Sequence, residues 1–389
     1  MKIAKVTLFF VSLSLMCSTV LGAENPKPDK SLEYKETPQG KLFLHAYYPV
    51  NWKASDQRPA VVFFFGGGWS GGSYLQFTRH ADYLASRGMV AFCADYRIAN
   101  KHKTPPKACV SDGKSAMRWI RSHAAQLGID PEKILAGGGS AGGHVAAATA
   151  TIAAFDEATE DTSVSCHPQA LVLFNPVIDN SENGYGFGRV KEYWQEFSPM
   201  HNIKKAMPPT IFICGTKDKL IPVATGELFK QKIEAVGGRC DLHWYEGQSH
   251  GFFNRMYIET MHQVDSFLVS LGYLNGPATL GNAEPAATTA DKTAVANKLD
   301  AQLFRAVKND QLDKVTECLD GGANVNALDD SKNNVLIWAV DKKNLPMVKI
   351  LVEFGADIHQ KNKYGNNALA AAKRRKFTEI EQFLREQLE

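Results

Sequence analysis

Short runs of large apolar residues alternate with stretches whose apolar positions recur every three or four residues, and this rhythm fills residues 30 to about 275. The apolar runs predict strands at 61–65, 89–94, 133–137, 170–176, 210–214 and 241–245, after an apparent hairpin of 32–35 with 42–48. Helical spacing predicts helices near 76–87, 106–127, 144–154, 224–235 and 256–271. Strands alternating with helices imply an α/β fold, a mostly parallel sheet with helices on both faces. The rhythm breaks at 179–201, a stretch carrying Tyr185, Phe187, Tyr193, Trp194 and Phe197. Such a segment reads either as a pocket wall or lid, or as a surface loop packing its own aromatics.

Residues 276–298 are rich in Ala, Thr, Gly and Pro with almost no large apolar side chain, the composition of a linker. Few contacts are expected to cross such a segment, so the parts on either side are expected to fold independently. Beyond it a repeat appears. Gly322-Ala323-Asn324-Val325 returns as Gly355-Ala356-Asp357-Ile358, and Leu303, Leu336 and Leu369 keep the same 33-residue spacing, as do Ala306, Ala339 and Ala372. That period resembles ankyrin repeats, about two and a half of them over 299–389, forming a small all-α domain. The usual Thr-Pro-Leu-His tetrapeptide is absent. Stacks of this kind bind protein partners or dock on a neighbouring domain or subunit.

The near balance of 44 Lys plus Arg against 41 Asp plus Glu gives no electrostatic case for nucleic acid. Lys2 and Lys5 precede an apolar stretch broken by Ser12, Ser14, Ser18 and Thr19, which reads as a signal peptide over 1–23 rather than a membrane anchor. The expected location is therefore secreted or periplasmic. Six cysteines follow that segment. Cys93 and Cys214 fall in strand runs as buried thiols, and a disulfide among Cys109, Cys166 and Cys240 is left open. No His/Cys/Asp/Glu group has metal-ligand spacing, so neither metal nor organic cofactor is expected.

The chemistry concentrates at 134–144, I-L-A-G-G-G-S-A-G-G-H. Gly138, Ser140 and Gly142 have the G-x-S-x-G spacing of a serine on a sharp strand-to-helix turn, where only glycines allow close packing on either side. The amide of Ala141, at the helix N-terminus, points toward developing negative charge. Upstream, Gly66, Gly67 and Gly68 end an apolar strand, where Gly67 and Gly68 can offer two further amides to an oxyanion. Downstream, Asp218 and His250 each follow a strand. Nucleophile, acid and histidine then stand in the order of an acyl-transfer triad, with His250 as general base and Asp218 fixing its tautomer.

Each assignment has rivals. Asp241 is the other acid, although Asp218 could be an ordinary turn carboxylate. His201, His243 and His262 are the alternative histidines, and His250, in a Gly- and Ser-flanked loop, fits the role best. His144, one helical turn after the serine, reads as packing or support. Trp69, Tyr193 and Trp194 are the candidate substrate-binding side chains.

The segments F-F-G-G-G-W, D-Y-R at 95–97, G-G-G-S-A-G-G-H, G-T-K-D-K-L-I-P and S-H-G-F-F resemble the α/β-hydrolases, in particular bacterial acetyl or feruloyl esterases near the hormone-sensitive-lipase-like group. The resemblance covers about 30–275. It implies the α/β-hydrolase fold, a serine nucleophile at Ser140 with Asp218 and His250, and oxyanion donors at Gly67, Gly68 and Ala141. Two departures point away from the hormone-sensitive-lipase-like group. Phe65 stands where a histidine usually precedes the glycines, and Gly139 stands where an acid often precedes the serine. The resulting expectation is a secreted serine carboxylesterase for short-chain esters, small molecules or acetyl or feruloyl groups on polysaccharide. A protein partner could engage the repeats; nucleic acid and membrane are not expected partners. A peptidase on the same fold and a non-catalytic binding protein remain the alternatives.

Overall fold

The computed structural model describes residues 25–280, 289–320 and 323–387. The signal-peptide expectation for 1–23 lies outside them. Eight strands form one sheet: β1 (Lys30–Thr37), β2 (Gly40–Tyr47), β3 (Arg58–Phe64), β4 (Val90–Ala94), β5 (Ile129–Gly139), β6 (Leu171–Phe174), β7 (Thr210–Gly215) and β8 (Cys240–Tyr245). Their order is β1-β2-β4-β3-β5-β6-β7-β8, antiparallel only at β1–β2 and β2–β4. The continuous apolar runs are the parallel strands. Val61, Val62, Phe63 and Phe64 of β3 are buried because helices cover both faces of the sheet.

Five main helices pack on it: α1 (Thr78–Ser86), α2 (Pro106–Ser122), α3 (Ala141–Thr151), α4 (Val223–Ala235) and α5 (Tyr257–Ser270). Every residue of α3 is buried, which explains its alanines: side chains this small let the helix lie close to the sheet and to α2. A buried charge network ties the antiparallel edge to α2. Asp112 takes Lys35 Nζ at 2.8 Å and Arg97 Nη2 at 2.7 Å, and Glu157 completes it with Lys35 at 2.6 Å. Chain connections leave β3 in one direction and return to β5 on its other side, so the loops after β3 and β5 meet at the carboxyl end of the sheet. Open α/β sheets bind ligands at such a reversal.

All six described cysteines are free. Cys109 donates to the Arg97 carbonyl at 3.1 Å and Cys166 lies 3.7 Å from the Thr149 carbonyl, so the disulfide left open from the sequence is not formed.

The C-terminal region is three helix pairs rather than two and a half repeats: α6 (Thr289–Lys308) with α7 (Leu312–Asp320), α8 (Val335–Asp341) with α9 (Leu345–Glu353), and α10 (Ala368–Arg375) with α11 (Thr378–Glu386). The first helix begins inside the segment read as linker. The pairs share their own core, including Leu303, Leu336, Leu351 and Leu384. Asn334, Asn344 and Asn367 cap α8, α9 and α10 by accepting an amide hydrogen bond from three residues on. Contacts nevertheless cross to the sheet domain, against the expectation of two parts joined only through a linker. A Cβ on Gly71 would stand 3.5 Å from Thr316 Oγ1, and one on Gly251 would stand 3.7 Å from the Phe354 ring.

Candidate active site

Ser140 follows β5 with φ 52° and ψ −121°, a conformation costly for a residue with a Cβ. The glycines around it make the turn feasible. A Cβ on Gly142 would collide with the Phe64 and Phe65 carbonyl oxygens, and one on Gly138 with Gly142 and Phe64. The Ser140 amide donates to the Phe174 carbonyl and its own carbonyl accepts from Val177, which ties the turn to the next strand.

Asp218 and His250 are carried on loops after β7 and β8 that are stitched together. Lys217 N donates to the Gln248 carbonyl at 2.9 Å, and Gly247 N to Thr216 Oγ1 at 2.8 Å. His250 Nδ1 lies 2.7 Å from Asp218 Oδ2 and its Nε2 2.8 Å from Ser140 Oγ. The consistent tautomer has Nδ1–H donating to the carboxylate and Nε2 accepting the serine proton. The Asp218 side chain is fully buried, and its other oxygen accepts the amides of Leu220 at 2.9 Å and Ile221 at 3.0 Å. Asp218 is thus not the solvated turn carboxylate its Lys neighbours suggested.

The rivals sit elsewhere. Asp241 pairs with Arg239 at 2.5 Å on the exposed side of β8. His201 bonds Ser198 Oγ at 2.9 Å, His243 lies within β8, and His262 within α5. His144 is wholly buried, donates Nε2–H to the Phe197 carbonyl at 2.8 Å, and packs on Trp69 and Phe197. Burial lowers it to about 3, so it is a neutral packing group.

Gly67 and Gly68 have φ of 111° and 58°, the left-handed region that glycine tolerates. They line one small cavity with Ser140, His250, Tyr185, Leu220 and Phe354. Ala141 is buried beside it as the first residue of α3, where an amide has no partner within the helix. The loop is held without the histidine usual in the resembled family. Phe65 stacks on Tyr96 with centroids 4.1 Å apart, Tyr96 Oη donates to the Phe65 carbonyl at 2.5 Å, and Gly66 N donates to Gln76 Oε1 at 2.6 Å. Arg189 reaches across to donate to the Gly68 carbonyl at 2.6 Å. These supports went unread in the sequence, as did Asn175, whose Nδ2 lies 3.3 Å from His250 Nε2. Of them, only Tyr96 carried a signal, inside the D-Y-R segment.

The three aromatics expected to touch substrate stand outside the cavity lining. Trp69 is buried behind Tyr185, with centroids 5.6 Å apart. Tyr193 packs on Phe197 and Phe155, and Trp194 on His201 and Phe187. The aromatic excursion mostly packs on itself, and Tyr185 is its contribution to the cavity wall.

Comparison with known proteins places this geometry in a family. Residues 44–233 match the BD-FAE family model, and 303–388 match ankyrin repeats in three copies. Esterase 2 of Thermogutta terrifontis, solved phosphonylated by cyclosarin and with propionate bound, is 42% identical with a TM-score of 0.62. The match covers 65% of this chain and 97% and 98% of the two solved chains. A probable isoprenylcysteine alpha-carbonyl methylesterase of Arabidopsis thaliana is 27% identical, over 58% of this chain and 51% of its own. An acetylxylan esterase of Xylanibacter ruminicola is 25% identical, over 63% and 50%. The chain spans about half the length of these curated relatives. It belongs to the BD-FAE family of α/β-hydrolase esterases, extended by ankyrin repeats.

Proposed function

We propose that the protein is a serine carboxylesterase acting on short-chain esters through an acyl-enzyme. The observation that carries this is the unbroken chain from Ser140 Oγ through His250 to the buried Asp218, at 2.8 and 2.7 Å. In this reading His250 Nε2 takes the Ser140 proton as Oγ attacks the ester carbonyl. The oxyanion settles against the amides of Gly67, Gly68 and Ala141. Protonated His250, held by Asp218, returns the proton to the leaving alcohol. Water then repeats the sequence on the acyl-enzyme.

Short acyl groups are favoured because the cavity beside Ser140 is narrow, and the relative with propionate bound supports the same preference. Acetyl groups on polysaccharide are the proposed natural class, in line with the name of the acetylxylan esterase relative. The Lys-led apolar segment at 1–23 supports a secreted or periplasmic location.

The test is turnover of nitrophenyl acetate and butyrate beside peptide anilides, with fluorophosphonate labelling read by mass spectrometry. Ester turnover, one adduct on Ser140, and a loss of roughly a million-fold in Ser140→Ala are expected. Faster cleavage of anilides than esters would make the protein a peptidase, and no turnover or labelling at all would make it a binding protein.

A further inference from the structure

We propose that the ankyrin module supplies one wall of the ester site, and that Phe354 is a specificity-determining residue there; this rests on the esterase reading of Ser140. Phe354 follows α9 and lines the cavity with Ser140, His250, Gly67 and Gly68. Among the described residues it is the sole one of that lining contributed by the repeats.

The contact is built from several points. Thr316 of α7 is buried against Gly71, within the same loop as the oxyanion glycines. Phe354 meets Gly251, next to the triad histidine, and a Cβ on Gly355 would lie 4.0 Å from Ser249 Cβ. Burial raises the Asp300 carboxyl of α6, offset in part by the Asn324 amide and then by the positive charge of Arg255 across the contact. Two of the loops touched, 66–72 and 249–255, also carry the oxyanion glycines and the triad histidine.

The repeat pattern itself does not ask for an aromatic at this place. Thirty-three residues earlier the equivalent position is Gly321. The glycines that follow, Gly322 and Gly355, keep the register, so the difference is confined to the side chain that reaches the site.

With Phe354 in place the cavity measures about 10 Å³. A single water needs about that much room, so the lining must yield to an acyl group, and in this proposal the wall that yields is the Phe354 ring. The displacement grows with the group, and Phe354 therefore selects for short acyl chains from outside the hydrolase fold.

The experiment uses the full chain with Phe354→Ala, Phe354→Leu and Phe354→Trp, measuring kcat/KM on nitrophenyl acetate, butyrate and hexanoate. Phe354→Ala should raise the hexanoate value about tenfold or more while changing acetate about threefold or less. Phe354→Leu should fall between, and Phe354→Trp should lower butyrate and hexanoate. Leucine keeps the apolar contact with the repeat core, so it answers the question if alanine unfolds the module. Chain-length profiles of the variants that coincide with the wild type, or a fall equal for all esters, overturn the proposal. Fluorophosphonate labelling separates the two ideas: Ser140 labelled with an unchanged profile rejects only the role of Phe354, whereas no label on Ser140 in any form rejects the esterase reading beneath it.

Discussion

The thiol of Cys214 lies 3.6 Å from Oδ2 of Asp218, the same oxygen that holds His250. A strand residue with no reactive role thus touches the acid of the triad from below. Burial, then the negative charge of Asp218, push this thiol up, so it stays protonated and unreactive.

Iodoacetamide should therefore leave ester turnover unchanged in the folded protein and alkylate Cys214 only after denaturation. Cys214→Val adds about a methylene of volume at a fully buried position and should cost about 1–3 kcal/mol of stability. Its kcat should fall by less than about tenfold, since Leu220 and Ile221 still hold the carboxylate. Rapid inactivation by the reagent, with the adduct on Cys214, would contradict this account.

The oxyanion loop gives a second prediction. Tyr96→Phe removes the hydroxyl that bonds the Phe65 carbonyl but keeps the ring that stacks on Phe65. The loop should loosen, with kcat falling about three- to thirtyfold and KM for a small ester changing little, as expected for an interaction felt mainly in the transition state. A change confined to KM would assign Tyr96 to ground-state binding instead.

Acid should destabilise the fold through two buried histidines. His80 sits among Phe77, Phe174, Phe253 and Tyr257, and burial lowers it, like His144, to about 3. In the unfolded chain each takes up a proton near the ordinary 6.5, whereas the folded protein resists until about 3. Their contribution is therefore intact above 6.5 and is lost as pH falls toward 3, by up to about 1.4 kcal/mol per pH unit for each. Urea unfolding at pH 7 and 4.5 should show a smaller drop in His80→Phe than in the wild type. Equal drops would mean that His80 does not titrate in this way.

Asp112 offers a stability test away from the site. Asp112→Ala would leave Lys35 and Arg97 buried with only the partly exposed Glu157 beside them. Removing one member of a buried ionic cluster typically costs about 3–5 kcal/mol. A shift under about 1 kcal/mol in denaturant unfolding would show that water or rearrangement compensates.

What the sequence displayed and what it hid follow from the range of the interactions. The apolar runs located β3 to β8 because a strand covered on both faces must be apolar along its length. The elbow was legible because Gly138, Ser140 and Gly142 meet a local steric demand. Tyr96 on Phe65, Arg189 on Gly68 and Asn175 on His250 join segments brought together only by the sheet, and no spacing records them. Trp69, Tyr193 and Trp194 were natural choices by composition, yet apolar rings near a site pack on one another as readily as they face it. The contact between the two parts was hidden for a different reason: linker composition bears on the chain that connects them, whereas contact depends on the surfaces those parts present.

The point where the sheet domain ends bears on how the wall formed by the repeats can work. Arg87 holds the carbonyls of Asn275 and Gly276, and Leu280 packs against the core beside α5. Helix α6 begins at Thr289, with eight residues of sequence between it and Leu280. Eight residues reach at most about 30 Å. A short tether of this kind keeps its module at an effective concentration on the order of millimolar. If an acyl group displaces Phe354 as proposed, the ring returns quickly even where the docking surface is intrinsically weak. Opening becomes a first-order event within one molecule, and turnover per molecule should stay the same however far the enzyme is diluted.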